Sequence, residues 1–426
     1  MSIVKINLKY GNTFQSIEIE KEKIIGIIKP KSLPKPSNPQ KIIEKSILNP
    51  IGSEPLKNLV NSKSRIAFLV SDITRPCPTN IILPVIIRKL KKYGVNENKM
   101  TIIFATGAHR PHTREEKIKL VGQKIASKIK LIDHNCKDKN NLEYIGKTSR
   151  GTIIELNKLA LNHDLIIGIA NIDIHWFAGY SGGCKSILPG ISSYETIIMN
   201  HKLMLKPGAE PGKIINNPVR EDIDEIANII EKFKFIVNVV LNDKKEIVKT
   251  VAGHPIKAHR AGIPTIDKMF KVKVKEKADI VIASAGGFPK DINLYQAQKA
   301  LDNASRIVKK NGVIILIAEC KDGLGGENTP FKQWLKEASK PEEIIEKIKN
   351  EWILGGHKAY GIARIAIKNK IILVSKLSEE KVKMAFMQPA KNIKEAIIKA
   401  YNHVGKDASI IVMPYAGSTL PITNNH

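Results

Sequence analysis

Aromatic residues make up only 5% of this 426-residue chain, and just 10 of its 69 basic residues are arginine. Base and phosphate readout leans on planar guanidinium groups and on stacked rings, so both shortages argue against a nucleic-acid groove. The formal net charge of +28 does not reverse this, because the lysines are scattered along the chain and not gathered into blocks, as on a solvated surface. Cysteine is scarce too: Cys77, Cys136, Cys184 and Cys320 lie far apart without a C-x-x-C pair, which excludes a zinc ribbon and a dithiol redox motif. A reducing, cytoplasmic setting is the expectation. No apolar run approaches the ~18 residues of a membrane span. The longest, over residues 81–87, is interrupted by Pro84, and the opening MSIVKINLKYG has no signal-peptide core. What is present is 42% hydrophobic residues, enough to build the cores of two or three domains.

Alternating Val4, Ile6 and Leu8, then Ile17 and Ile19, predict a β-hairpin, followed by a proline-rich connector over 29–39. From residue 65 onward, apolar runs of strand length at 66–70, 100–105, 130–132 and 165–169 alternate with helix-type segments. The segment 233–251 reads as an antiparallel pair turning at Asn242-Asp243, and 256–270 as a connecting helix. A second βα series follows, with strands at 278–283, 312–318, 370–374 and 409–413 and a helix over 294–310. The prediction is two Rossmann-like α/β domains with mainly parallel sheets and a cleft between them: residues 1–271 carrying the chemistry and 272–426 a smaller partner.

Ligands of open parallel sheets collect where strands end. Four strand ends here carry polar or glycine-rich clusters: Ser71-Asp72-Ile73-Thr74-Arg75-Pro76, Thr106-Gly107-Ala108-His109-Arg110-Pro111, Asn171-Ile172-Asp173-Ile174-His175, and Gly286-Gly287-Phe288-Pro289-Lys290-Asp291. The segment Gly179-Tyr180-Ser181-Gly182-Gly183-Cys184-Lys185-Ser186 nearly spells a phosphate loop, but Cys184 stands at its final glycine position and no strand directly precedes it. What survives is a glycine-rich turn whose N–H groups could approach an anion, and a lysine able to clamp an anion or act as a nucleophile. Ser192 or Ser193, with Glu195, suits the start of a helix reaching His201. His109, His175 and His201 could supply two proton-transfer groups and one metal-binding imidazole, and spacing does not assign which does which. Tyr295, Gln296 and Lys299 share helical spacing, so they can flank one surface and, with Arg75, neutralise a carboxylate.

Taken together and in order, these motifs, with Leu188-Pro189-Gly190, Asn200-His201 and Asp291-Ile292-Asn293, closely resemble the nickel-dependent lactate racemase family. The resemblance implies a 2-hydroxyacid racemase or epimerase using the nickel-pincer nucleotide, a pyridinium-3-thioamide-5-thiocarboxylic acid mononucleotide. By the same resemblance Lys185 tethers that cofactor, with Asp72, Ser181, Gly182 and Gly183 beside it, and His201 is the protein ligand to nickel. His109 and His175 would be the acid/base pair, one per enantiomer, and Arg75, Tyr295, Gln296 and Lys299 would bind substrate. Hydride transfer through a 2-oxo acid avoids forming a carbanion beside a carboxylate. The partners implied are a small 2-hydroxy acid and transient cofactor-maturation proteins, with no nucleic acid and no membrane. Two other readings stand beside it: an NAD-linked 2-hydroxyacid dehydrogenase, for which no strand is followed by a clean G-x-G-x-x-G, and a basic nucleic-acid-binding protein.

Overall fold

The computed structural model describes residues 2–327 and 329–423. It forms two compact units, one from Ser32 to Met269, the other joining the chain up to Lys31 to the chain from Phe270 onward. The first is built on a six-stranded sheet in the order Ile247–Gly253, Phe235–Leu241, Leu165–Ile172, Ile66–Ser71, Met100–Ala105, Lys130–Asp133. All neighbours run parallel except the edge pair Phe235–Leu241 and Ile247–Gly253. Strands covered on both faces must be apolar nearly throughout; accordingly Phe68, Val70, Phe104, Ile167, Ile169 and Val237 are wholly buried in one core. From Ile66–Ser71 the chain winds outward to Lys130–Asp133, then crosses back to Leu165–Ile172 and proceeds the other way. The winding reverses between Ile66–Ser71 and Leu165–Ile172. Loops leaving the carboxyl ends of two such strands diverge and open a crevice, and here those loops begin with Asp72 and Asp173.

The second unit is built on a six-stranded sheet, all parallel, in the order Gln388–Ala390, Lys370–Val374, Val308–Ile317, Ala278–Ser284, Ile410–Met413, Ile24–Ile27. Its membership corrects the predicted division of the chain. Residues up to Lys31, placed by sequence with the first domain, lie in this unit. The cause is pairing between opposite ends of the chain: Ile24–Ile27 adds an edge strand beside Ile410–Met413, and Ile6, Leu8, Ile17 and Ile19 of the hairpin share a core with Ile280, Ile315 and Ile372. Elsewhere the units part between Met269 and Phe270, where the sequence reading set a boundary after residue 271. The helix predicted over 294–310 stops at Ala304, because Val308 already pairs with Ala278 and the ladder resumes at Val313 beyond Asn311, whose φ is 60°. Among the described residues, no helix is long and apolar enough to cross a membrane.

Candidate active site

Asp72 follows the strand Ile66–Ser71 directly and is 4% exposed. Its Oδ1 accepts from the Thr74 N–H at 2.7 Å and from the Thr74 hydroxyl, while its Oδ2 lies 2.9 Å from His109 Nδ1. Burial alone would raise this carboxyl, but the hydrogen bond and charge of His109, the Thr74 hydroxyl and the Arg75 cation outweigh it and bring the pKa to about 2. A carboxylate at Nδ1 holds the proton there, so His109 presents the Nε2 lone pair outward; its side chain is 43% exposed. His109 reaches Asp72 because Met100–Ala105 is the neighbouring strand and the turn after it is closed by Gly107, whose N–H donates to Gly190 O at 3.0 Å.

His175 lies on the other side of the reversal, in a two-residue ladder with Gly179 and Tyr180. The Ala178 N–H donates to its Nδ1 at 3.3 Å, so the neutral ring carries its proton on Nε2, the opposite tautomer to His109. Burial, then the charges of Lys185, Arg75, His201 and Arg220, push its pKa well below the usual histidine range. Lys185 sits on a single 3-10 turn, Gly183–Ser186, half-buried. Burial first, then Arg220 and Arg75, hold its amine well below the ordinary lysine value. Disfavouring the charged form makes a lysine amine a better nucleophile, which suits covalent attachment of an acyl-type group.

This loop is braced from below. Arg220, wholly buried, donates from Nε to Ala178 O at 3.1 Å and from Nη2 to Tyr180 O, and faces Asp224. Asn217 starts the helix Pro218–Ile229 by accepting from the N–H groups of Val219 and Arg220, while its own Nδ2 donates to Phe177 O at 2.9 Å. His259 Nε2 donates to Ser181 O at 2.8 Å, and the Gly183 N–H donates to Asn238 Oδ1 at 2.7 Å. The loop's glycines therefore serve close packing: a Cβ on Gly183 would stand 2.8 Å from His259 Cγ. Its N–H, expected from sequence to face an anion, is used within the fold. The Ser181 hydroxyl is engaged as well, donating to Asn171 O and accepting from Asp173 N–H.

His201 lies near the end of the helix Tyr194–Lys202, which Ser193 caps by accepting from Thr196 N–H at 3.1 Å. The position three residues past the cap is Thr196, so Glu195 completes no capping box. The Phe177 ring meets His175 on one side, with centroids 4.7 Å apart, and His201 on the other at 5.1 Å. Among the described residues, no group of three or more His, Cys, Asp or Glu could hold a metal ion. An ion at His201 would thus take its other donors from a bound group, and the soft donors of a sulfur-bearing nucleotide beside one imidazole suit Ni(II).

In the other unit, Asn293 caps the helix Leu294–Ala304, and Tyr295, Gln296 and Lys299 fall on one side of it. Gln296 and Lys299 are exposed; Tyr295 is half-buried, edge-on to Phe331 at 5.2 Å and 5.3 Å below Lys358 Nζ. Lys358 also donates to Gln298 Oε1 at 3.1 Å. Sequence reading missed the braces Arg220, Asn217, Asn238 and His259; the one local signal was Asn217-Pro218, a helix start that places Arg220 in the first turn.

Comparison with known proteins bears on this arrangement. Residues 10–212 match the family described as lactate racemase N-terminal domain, and residues 273–420 the lactate racemase C-terminal domain. The chain is 36% identical over 421 residues to a lactate racemase of Thermoanaerobacterium thermosaccharolyticum, covering 97% of this chain and 98% of that one. A lactate racemase of Lactiplantibacillus plantarum is 34% identical with the same coverage. The structure of the T. thermosaccharolyticum lactate racemase apoprotein superposes with a TM-score of 0.90, covering 98% of this chain and all of that one. A Thermotoga maritima protein, 17% identical with a TM-score of 0.64, shares the fold.

Proposed function

This chain belongs to the lactate racemase family, a family of isomerases, and from that premise we propose that it interconverts the enantiomers of a 2-hydroxy acid, lactate first among them. The observation that carries the reading is the pairing of Asp72 with His109 across the strand reversal from His175 and Lys185. Racemising an alcohol carbon needs a proton acceptor for the hydroxyl on each side, and imidazole is a side chain suited to that exchange.

We assign the nickel-pincer nucleotide to this site, with Lys185 as its tether and His201 as the protein ligand to nickel. When bound, that group supplies an acceptor for the α-hydrogen as hydride. The chain's own residues do the rest. His109 Nε2, with Asp72 stabilising the imidazolium, takes the hydroxyl proton of one enantiomer, and His175 is assigned to the other; to accept there its ring must release the Ala178 N–H from Nδ1, or move its own proton to Nδ1 and free Nε2. Arg75 of the first unit is assigned to substrate binding, and so, on the second unit, are Tyr295, Gln296 and Lys299; a guanidinium and an ammonium are each suited to a carboxylate. Phe177, itself buried, packs edge-on against both His175 and His201 and so restrains the two rings. We place the protein in the cytoplasm, in keeping with four free, buried cysteines, and infer transient contact with proteins that build the cofactor.

The test uses protein coproduced with a cofactor-building pathway. Intact mass of wild type and Lys185→Ala is measured first; a cofactor-sized increment is expected in the wild type alone. The loaded protein is then given single enantiomers of lactate and a panel of other 2-hydroxy acids, followed by chiral chromatography. Conversion to a near-equal mixture of at least one is expected. Loaded protein that leaves every acid optically unchanged would overturn the reading.

A further inference from the structure

A second histidine-carboxylate pair, His112 with Asp133, lies behind the first. His112 is three residues after His109, and its side chain is 1% exposed. Its Nδ1 lies 2.6 Å from Asp133 Oδ1, and its Nε2 accepts from the backbone N–H of Ile73 at 3.0 Å. Lys117 holds the other Asp133 oxygen at 2.7 Å, and the Phe104 ring leans on the imidazole with centroids 4.9 Å apart.

An imidazole nitrogen accepts from an N–H only when it bears no proton, so the Asp133 contact, which keeps the proton on Nδ1, is what permits the bond to Ile73. Ile73 is the middle of the segment that matters: Asp72 before it meets His109, Thr74 after it holds Asp72 Oδ1, and Arg75 N–H donates to Asp72 O at 3.0 Å. The turn 72–75 closes on itself through these bonds, and His112 is what ties its middle to the neighbouring strands. Asp133 ends the strand Lys130–Asp133 and Lys117 lies on the helix Arg114–Val121, so one relay links the ends of three adjacent strands.

We infer that His112 is a positioning residue: with Asp133 fixing its tautomer, it sets the Asp72–Arg75 turn and so aims Asp72 at His109. Nothing in this geometry depends on a bound group; only the activity arm of its test rests on the racemase reading.

Three variants separate the possibilities. In His112→Gln the amide oxygen reaches the place of Nε2 and can accept from Ile73. His112→Leu fills the space without an acceptor. Asp133→Leu leaves the ring in place but frees its tautomer, and it carries the test if His112→Leu does not fold. In apo-protein with ring-labelled histidine, the His109 Nδ1 proton shared with Asp72 is followed by NMR, assigned by its loss in His109→Gln. The signal is expected in wild type and His112→Gln and lost in His112→Leu and Asp133→Leu. In loaded enzyme, kcat is expected within about threefold of wild type for His112→Gln and reduced about tenfold for the other two, since a part-buried N–H left without its acceptor shifts the turn's population by about that factor. Retention of the His109 signal in both leucine variants would overturn the inference, as would a His112→Gln protein as impaired as His112→Leu, which would make the role one of packing. If wild type racemises nothing, the NMR arm still decides the inference, and the proposed function fails separately.

Discussion

Replacing Asp72 by Asn tests the proton-handling side of the site. Asn keeps the size of Asp and can turn its carbonyl oxygen toward the Thr74 N–H and hydroxyl, but its NH2 then faces His109 Nδ1. The imidazole must accept at Nδ1 and carry its proton on Nε2, the reverse of the wild-type tautomer. The charge is lost as well. In the wild type the carboxyl is brought from 3.8 to about 2 against the opposing effect of burial, with His109 foremost among the groups that lower it. At about 1.4 kcal/mol per pH unit, that depression corresponds to ~2 kcal/mol of net favourable interaction in the charged form. An imidazolium formed as His109 takes up a proton loses this partner, so kcat falls at least ~30-fold, and the wrong tautomer carries the loss toward ~1,000-fold. The assay is conversion of single-enantiomer lactate, normalised to cofactor content by intact mass. A stability measurement accompanies it. Because the folded pKa lies below the ordinary value, Asp72 contributes stability that is present above pH 3.8 and lost as pH falls through about 2. Wild type should therefore lose more thermal stability over that interval than Asp72→Asn. A fully loaded Asp72→Asn enzyme within threefold of wild-type kcat would refute the role given to this carboxylate.

Three further outcomes follow from the same geometry. His201→Ala should keep the covalent mass increment but lose bound nickel by elemental analysis, because the residues proposed as tether and as metal ligand are different. Gly183→Ala must place a Cβ 2.8 Å from His259 Cγ at a φ of +60°, and should lower stability by about 1–3 kcal/mol in thermal unfolding. Arg220→Met removes the donors to Ala178 O and Tyr180 O and one cation from Asp224; a loss of about 3–5 kcal/mol is expected in denaturant unfolding.

The parallel strands of the first unit were legible because burial on both faces demands near-continuous apolar runs, and Leu165–Ile172 is buried at every residue. The strand-end loops were legible for the complementary reason: polar residues directly after such runs have few places to go except the crevice. Asp72 and His109, in different loops and 37 positions apart in sequence, do meet. What escaped was everything decided by distant pairing. Ile24–Ile27 is an ordinary short apolar run until Ile410–Met413 lies beside it. Arg220 looks like a solvated residue in an acidic helix, Pro-Val-Arg-Glu-Asp, until the carbonyls of Ala178 and Tyr180 arrive at its guanidinium. His112 carries no local mark of its bond to Ile73, because the acceptor role exists only when Asp133 fixes the proton.

Cys184 shows how a departure from a motif becomes informative once the backbone is known. As sequence, it stands at the final glycine of a near phosphate loop and so spoils one. In the fold, the segment is a 3-10 turn and not the start of a phosphate-binding helix, and Cys184 is wholly buried. Burial foremost, with the Asp224 carboxylate adding to it, pushes the thiol well above its ordinary range. It behaves there as a small apolar side chain against the Arg220, Asp224 and Arg260 cluster. Gly183 and Cys184 pack inward while Lys185, next along the turn, remains half-buried. Anchoring one residue in the core fixes where its neighbour's Cα can stand, so the side chain that breaks the nucleotide motif also helps aim the lysine amine that the proposed chemistry requires.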